Sequence, residues 1–127
     1  MMRYLTDRKR AAGKGSAHTG TEHHWAMTVS AVGLTVLVPL WVYIFGTALG
    51  QPRDVVVATF ARPFPAIVTG LILIVGMRHF AMGATTMIED YSRGATRKGL
   101  VIGVNLLSAL IAAVGLYALL RIALQGF

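Results

Sequence analysis

The chain has 127 residues, of which 55% are hydrophobic and only 13% charged, about half the charged share of an ordinary soluble domain. That deficit, with a mean hydropathy of +0.64, excludes a water-soluble globule and indicates one membrane domain. The net charge of +7 does not indicate nucleic acid: the cations gather at one end and in one connection between apolar runs, the pattern of membrane orientation and contact with anionic lipid surfaces.

Residues 1–24 are polar, basic and rich in Gly and Ser, and are expected to form a mobile basic arm on the cytoplasmic side. The next 25 residues, WAMTVSAVGLTVLVPLWVYIFGTAL at 25–49, carry no charge. At 1.5 Å per residue they cross a hydrocarbon core of about 30 Å. A cleaved signal peptide would have an apolar region of only about 7–15 residues, so this stretch is read as a first transmembrane helix, kinked at Pro39. GQPRDVVVATFARP reads as a connection with an interfacial turn. A second span is predicted over residues 64–88, EDYSRGATRK as a polar loop, and a third span over 100–124, with Arg121 near enough to its end to snorkel outward. The fold class is therefore all-α: an integral membrane protein of three transmembrane helices, with a 25–127 anchor domain behind the 1–24 arm.

Orientation follows from the cations. Arg3, Arg8, Lys9, Arg10 and Lys14 in the arm share a side with Arg93, Arg97 and Lys98 in the second connection; only Arg53, Arg62 and Arg121 lie opposite. The positive-inside rule places the N-terminus in the cytoplasm and the C-terminus in the periplasm. The chain has no cysteine, which excludes disulfides, thiolate zinc sites and ordinary iron–sulfur clusters within it. Redox chemistry would need a bound cofactor or a partner protein.

The second span holds the residues that call for explanation: RHFAMGATTMIEDY, 78–91. With a turn of about 100° per residue and His79 as origin, Gly76, Gly83, Thr86 and Asp90 fall within about 60° of it, and Ile72 extends the face. Glycines three before and four after a histidine remove bulk on both sides of the imidazole, leaving room for a flat ligand. A neutral imidazole ligates haem iron through one ring nitrogen, and His79 fits that role; a histidine bonded to a neighbouring helix is the plainer reading. Electron-transfer haems take two strong ligands, so the second would come from another chain. Arg78 points about 100° away and needs an anion, either a haem propionate or a carboxylate of a partner. Asp90 lies about 16 Å further along the axis, at headgroup level. Asp90 and Tyr91 are ordinary residues for a helix end; they also suit a quinone pocket, with the phenol donating to a carbonyl oxygen and the carboxylate relaying a proton from water.

His18, His23 and His24 fit no closed zinc spacing and read as interfacial polar residues. Gly99 and Gly103 form GxxxG, continued by Ser108, Ala112 and Gly115 as a small-residue pattern that permits close helix packing.

The basic arm with GSAHTGTEHHW, the three spans, and H-x3-G-x6-D-Y at His79, Gly83, Asp90 and Tyr91 resemble the smaller hydrophobic membrane anchor subunits of succinate dehydrogenase, or succinate:quinone oxidoreductase. The resemblance covers nearly the whole chain. It implies a non-catalytic subunit of the bacterial inner membrane, paired with a larger cytochrome b-type anchor and holding an iron–sulfur subunit and a flavoprotein. Electrons from succinate would pass through that complex to ubiquinone, linking the tricarboxylic acid cycle to respiratory electron transport. It further implies that His79 is an axial ligand of haem b, that Tyr91 bonds ubiquinone, and that Asp90 lines the quinone pocket. From the residues alone a second class stays open: a small three-helix scaffold, or a proton or ion relay built on Arg78, His79 and Asp90, without haem.

Overall fold

The computed structural model describes residues 6–13 and 20–125, and every regular element among them is helical. Residues 1–5 and 14–19 of the arm, with Arg3, Lys14 and His18, lie outside the described residues. Within the arm a short helix α1 (Asp7–Ala12) is capped by the Thr6 hydroxyl, which accepts from the Lys9 amide at 3.3 Å.

The first span is α2 (Gly20–Ala48). It starts five residues before the expected boundary at residue 25, because GTEHH is polar but fully compatible with a helical first turn. Glu22 sits there, where a carboxylate favours the positive end of the helix dipole. The helix runs unbroken through Pro39. The connection then forms a nine-residue helix, α3 (Arg53–Ala61), started after Pro52 and stopped at an extended Arg62. Pro63, at the first helical position, opens α4 (Pro63–Leu71).

The second span is composite. Between α4 and α5 (Met77–Tyr91) lies a π-helical segment, Ile72–Gly76, without any break in the helix. Its wider turn interrupts the 100° count upstream of the histidine, so the expected alignment of Ile72 with His79 no longer follows from helix geometry. The third span, α6 (Gly94–Gln125), begins almost at once, after Ser92 and Arg93. Most of the expected EDYSRGATRK loop is therefore helix: the acids finish α5 and GATRK starts α6, with Gly94 taking the positive φ of 64° at the corner.

Three helices are long and apolar enough to cross a membrane: Gly20–Ala48, Pro63–Tyr91 and Gly94–Leu124. Little of their surface is covered by the chain itself. The buried set among the described residues is Ile44, Ala48, Val68, Ala81 and Ser108. Rows of Val, Leu, Ile and Phe on all three spans face outward, a surface stable only against lipid or other apolar helices. The small-residue pattern of α6 divides. Ser108 is buried, and a β-carbon at Gly115 would stand 2.9 Å from both Leu73 methyl groups, so α6 meets the second span there. Gly99 and Gly103 meet nothing within 4 Å.

Candidate functional site

The first and second spans run antiparallel, and four pairs of residues record their register. His23 Nε2 lies 3.4 Å from Thr86 Oγ1 at one end. Next, the Met27 Cε lies 3.5 Å from where a β-carbon on Gly83 would stand. Ser30 Oγ is 2.8 Å from His79 Nδ1. Leu34 Cδ2 then lies 3.9 Å from the missing β-carbon of Gly76. The face made by Gly76, His79, Gly83 and Thr86 is thus a continuous contact with α2. The absent glycine side chains allow the spans to approach, and the space beside Gly83 is filled by the tip of Met27, a flexible side chain.

His79 is half-buried at this seam. Its bond to Ser30 occupies Nδ1 and leaves Nε2 for another partner. The Ser30 hydroxyl also lies 2.8 Å from the carbonyl oxygen of Ala26 and 2.9 Å from that of Met27. Ser30 carries no signal in the sequence beyond being a hydroxyl in a span; only the register of two antiparallel helices brings it to the ring.

Arg78 projects elsewhere. It is exposed and lines a groove of about 310 Å³ between the second span and α6, with Met77, Ala81, Asn105, Ser108 and Ala112. It stands about 20 Å from either end of the span and has no ion-pair partner among the described residues. At that depth a guanidinium requires an anion or a path to water. Asn105, which drew no attention in the sequence, tethers the groove's far wall: its Nδ2 donates to Thr85 Oγ1 at 3.2 Å and to the Val101 carbonyl at 2.8 Å.

Asp90 and Tyr91 end α5 and are exposed, Tyr91 at 87%. Their neighbour Glu89 turns back to Arg97 of α6, 3.1 Å away, which ties the corner between the spans. A ligand at Tyr91 would need walls from another chain. Of the five residues singled out in the sequence, His79 and Gly83 come together against α2, Asp90 and Tyr91 share an exposed end, and Arg78 stands alone in its groove.

The profile described as succinate dehydrogenase/fumarate reductase transmembrane subunit matches residues 2–122, nearly the full length of the chain. The chain belongs to this family of transmembrane subunits. It is similar to the succinate dehydrogenase hydrophobic membrane anchor subunit of Paracoccus denitrificans, 51% identical over 123 residues, covering 97% of this chain and 95% of that one. It is also 31% identical over 103 residues to the corresponding subunit of Rickettsia bellii (strain RML369-C), covering 80% of this chain and 82% of that one. No solved structure matches it. Membership and three apolar helices together make it a multi-pass anchor of the succinate dehydrogenase type.

The residues present suit haem, the group expected of this anchor from the resemblance. An imidazole in the interior of a span, held at Nδ1, has its other ring nitrogen available to a metal. The notch beside Gly83 is closed by a movable methionine rather than by backbone. His23 and His24 lie at the start of α2, about 10 Å along the axis from Ser30, so among the described residues His79 is the one histidine in the interior of a span.

Proposed function

We propose that this chain is the smaller membrane anchor of a bacterial succinate:quinone oxidoreductase, docking the flavoprotein and iron–sulfur subunits at the inner membrane and sharing haem b and the ubiquinone site with a larger cytochrome b-type anchor. The observation that carries the reading is His79 itself, an imidazole inside a span with Nδ1 engaged by Ser30 and Nε2 left for a ligand.

His79 would hold the iron through Nε2, with a second ligand supplied by the larger anchor. The bound haem supplies a one-electron redox centre within the membrane. Gly83 gives the ring room, with Met27 swinging aside. Arg78, in the groove it lines, would offset an anion there, either a haem propionate or a carboxylate of the partner anchor. At the end of α5 the Tyr91 hydroxyl donates to a quinone carbonyl oxygen. The Asp90 carboxylate, exposed to water, passes on the proton that quinone reduction consumes. The chain transfers no electrons from succinate by itself and is non-catalytic alone.

The cationic arm and the Arg93, Arg97 and Lys98 corner support a cytoplasmic placement for the end bearing Tyr91. The His23–Thr86 contact places the start of α2 and the end of α5 at the same end of the bundle. The soluble subunits would therefore dock there, on the face that carries most of the positive charge.

Purification of the complex in mild detergent tests the proposal. Co-elution of a flavoprotein, an iron–sulfur protein and a second anchor, with a b-type band in the reduced-minus-oxidised spectrum, is the expected result. Recovery of the chain without those subunits and without haem would favour the scaffold or ion-relay class instead.

A further inference from the structure

Ser30 Oγ has three polar neighbours at hydrogen-bond distance: the carbonyl oxygens of Ala26 and Met27, at 2.8 and 2.9 Å, and His79 Nδ1 at 2.8 Å. A hydroxyl has one proton to give and two lone pairs to offer. The carbonyls can only accept. If the proton pointed at the ring, oxygen lone pairs would face each other at those short distances with nothing between them. The proton therefore lies toward the carbonyls, and the ring must be the donor.

We infer that Ser30 is a positioning residue for His79: it accepts from Nδ1–H, fixing the ring as that tautomer and turning the Nε2 lone pair to the metal. This rests on the haem reading above and adds to it the residue that orients the ligand. Two features strengthen the bond. A hydroxyl already donating to a carbonyl is a better acceptor, because linked hydrogen bonds polarise one another. Inside a span there is little water to compete for the ring N–H. The consequence is electronic as well as geometric. An imidazole whose distal N–H is bonded is a more basic ligand, which favours ferric over ferrous iron and lowers the haem midpoint potential.

The test compares the intact complex carrying Ser30→Ala or Ser30→Thr with wild type, by redox titration of the haem and by low-spin electron paramagnetic resonance. Threonine keeps a hydroxyl that can bond the preceding turn of the helix. Ser30→Ala should retain the b-type spectrum, shift the low-spin g values and favour the ferrous form by about three- to tenfold. Tenfold corresponds to about 59 mV upward for one electron. Ser30→Thr should stay near wild type in both measurements. Loss of haem from the alanine variant with retention in the threonine variant also supports the role. Unchanged potential and g values in Ser30→Ala, equal shifts in both variants, or loss of haem from both would overturn it. Failure of the underlying haem reading is read separately, from a wild-type complex that lacks a b-type band.

Discussion

Met27 of the first span fills the notch left by Gly83 of the second, its Cε 3.5 Å from the position of an added β-carbon. That distance is ordinary van der Waals contact, so Gly83→Ala should be accepted with the complex intact. Gly83→Leu would overfill the seam, at about 1–3 kcal/mol, and would occupy the space assigned to the haem. Haem content per flavin should then fall for Leu and hold for Ala. Equal haem content in both variants would remove Gly83 from the haem site.

Gly115 and Leu73 make a closer approach. A β-carbon at Gly115 would stand 2.9 Å from both Leu73 methyl carbons and 3.5 Å from Cγ, so Leu73 must rotate to admit one. Gly115→Ala should lower the thermal stability of the purified complex by about 1–3 kcal/mol. The loss in the Leu73→Ala background should be smaller, because the clashing group is gone. A double-mutant cycle measures this coupling, and strictly additive losses would rule out the contact.

Arg78 distinguishes two sources of its counter-charge. If a haem propionate supplies it, Arg78→Gln should lower the haem midpoint potential, since removing a nearby cation favours ferric iron. Coulomb's law sets the scale: a unit charge roughly 8 Å from the iron, at an effective dielectric of about 20, would contribute about 2 kcal/mol, and less at larger separations. Arg78→Lys should keep most of it. If the partner anchor supplies a carboxylate instead, the potential should stay put while the partner is lost on purification. Redox titration with subunit quantification separates the two.

Tyr91→Phe removes the proposed donor to the quinone and little else, because the side chain is 87% exposed in the chain. Quinone reductase activity should fall about tenfold, the scale of one hydrogen bond to a polar oxygen, while succinate oxidation by artificial dyes continues. Unchanged quinone turnover would remove Tyr91 from the quinone site.

The three spans were legible in the sequence because predominantly apolar runs of that length have no other stable setting. Their ends were not. GTEHH, EDY and GATRK are polar, and polarity marks the lipid boundary rather than the end of a helix, which continues into the headgroup zone. The π-helical turn at Ile72–Gly76 left no trace, since ILIVG is equally apolar in either helix form. His79 and Gly83 could be grouped by helical phase, but the phase says only that they share a face. What covers that face depends on the register of α2, which is why Ser30 and Met27 emerge only from the structure. For the same reason Asn105 stands out only through its bond to Thr85 on the neighbouring helix.

Ligation of haem b by His79 is tested most directly by the reduced-minus-oxidised spectrum and low-spin resonance of the complex carrying His79→Leu. Loss of the bis-histidine signal, with the flavoprotein and iron–sulfur subunits still bound, is the predicted outcome. A variant complex whose b-type band and g values match wild type would contradict it.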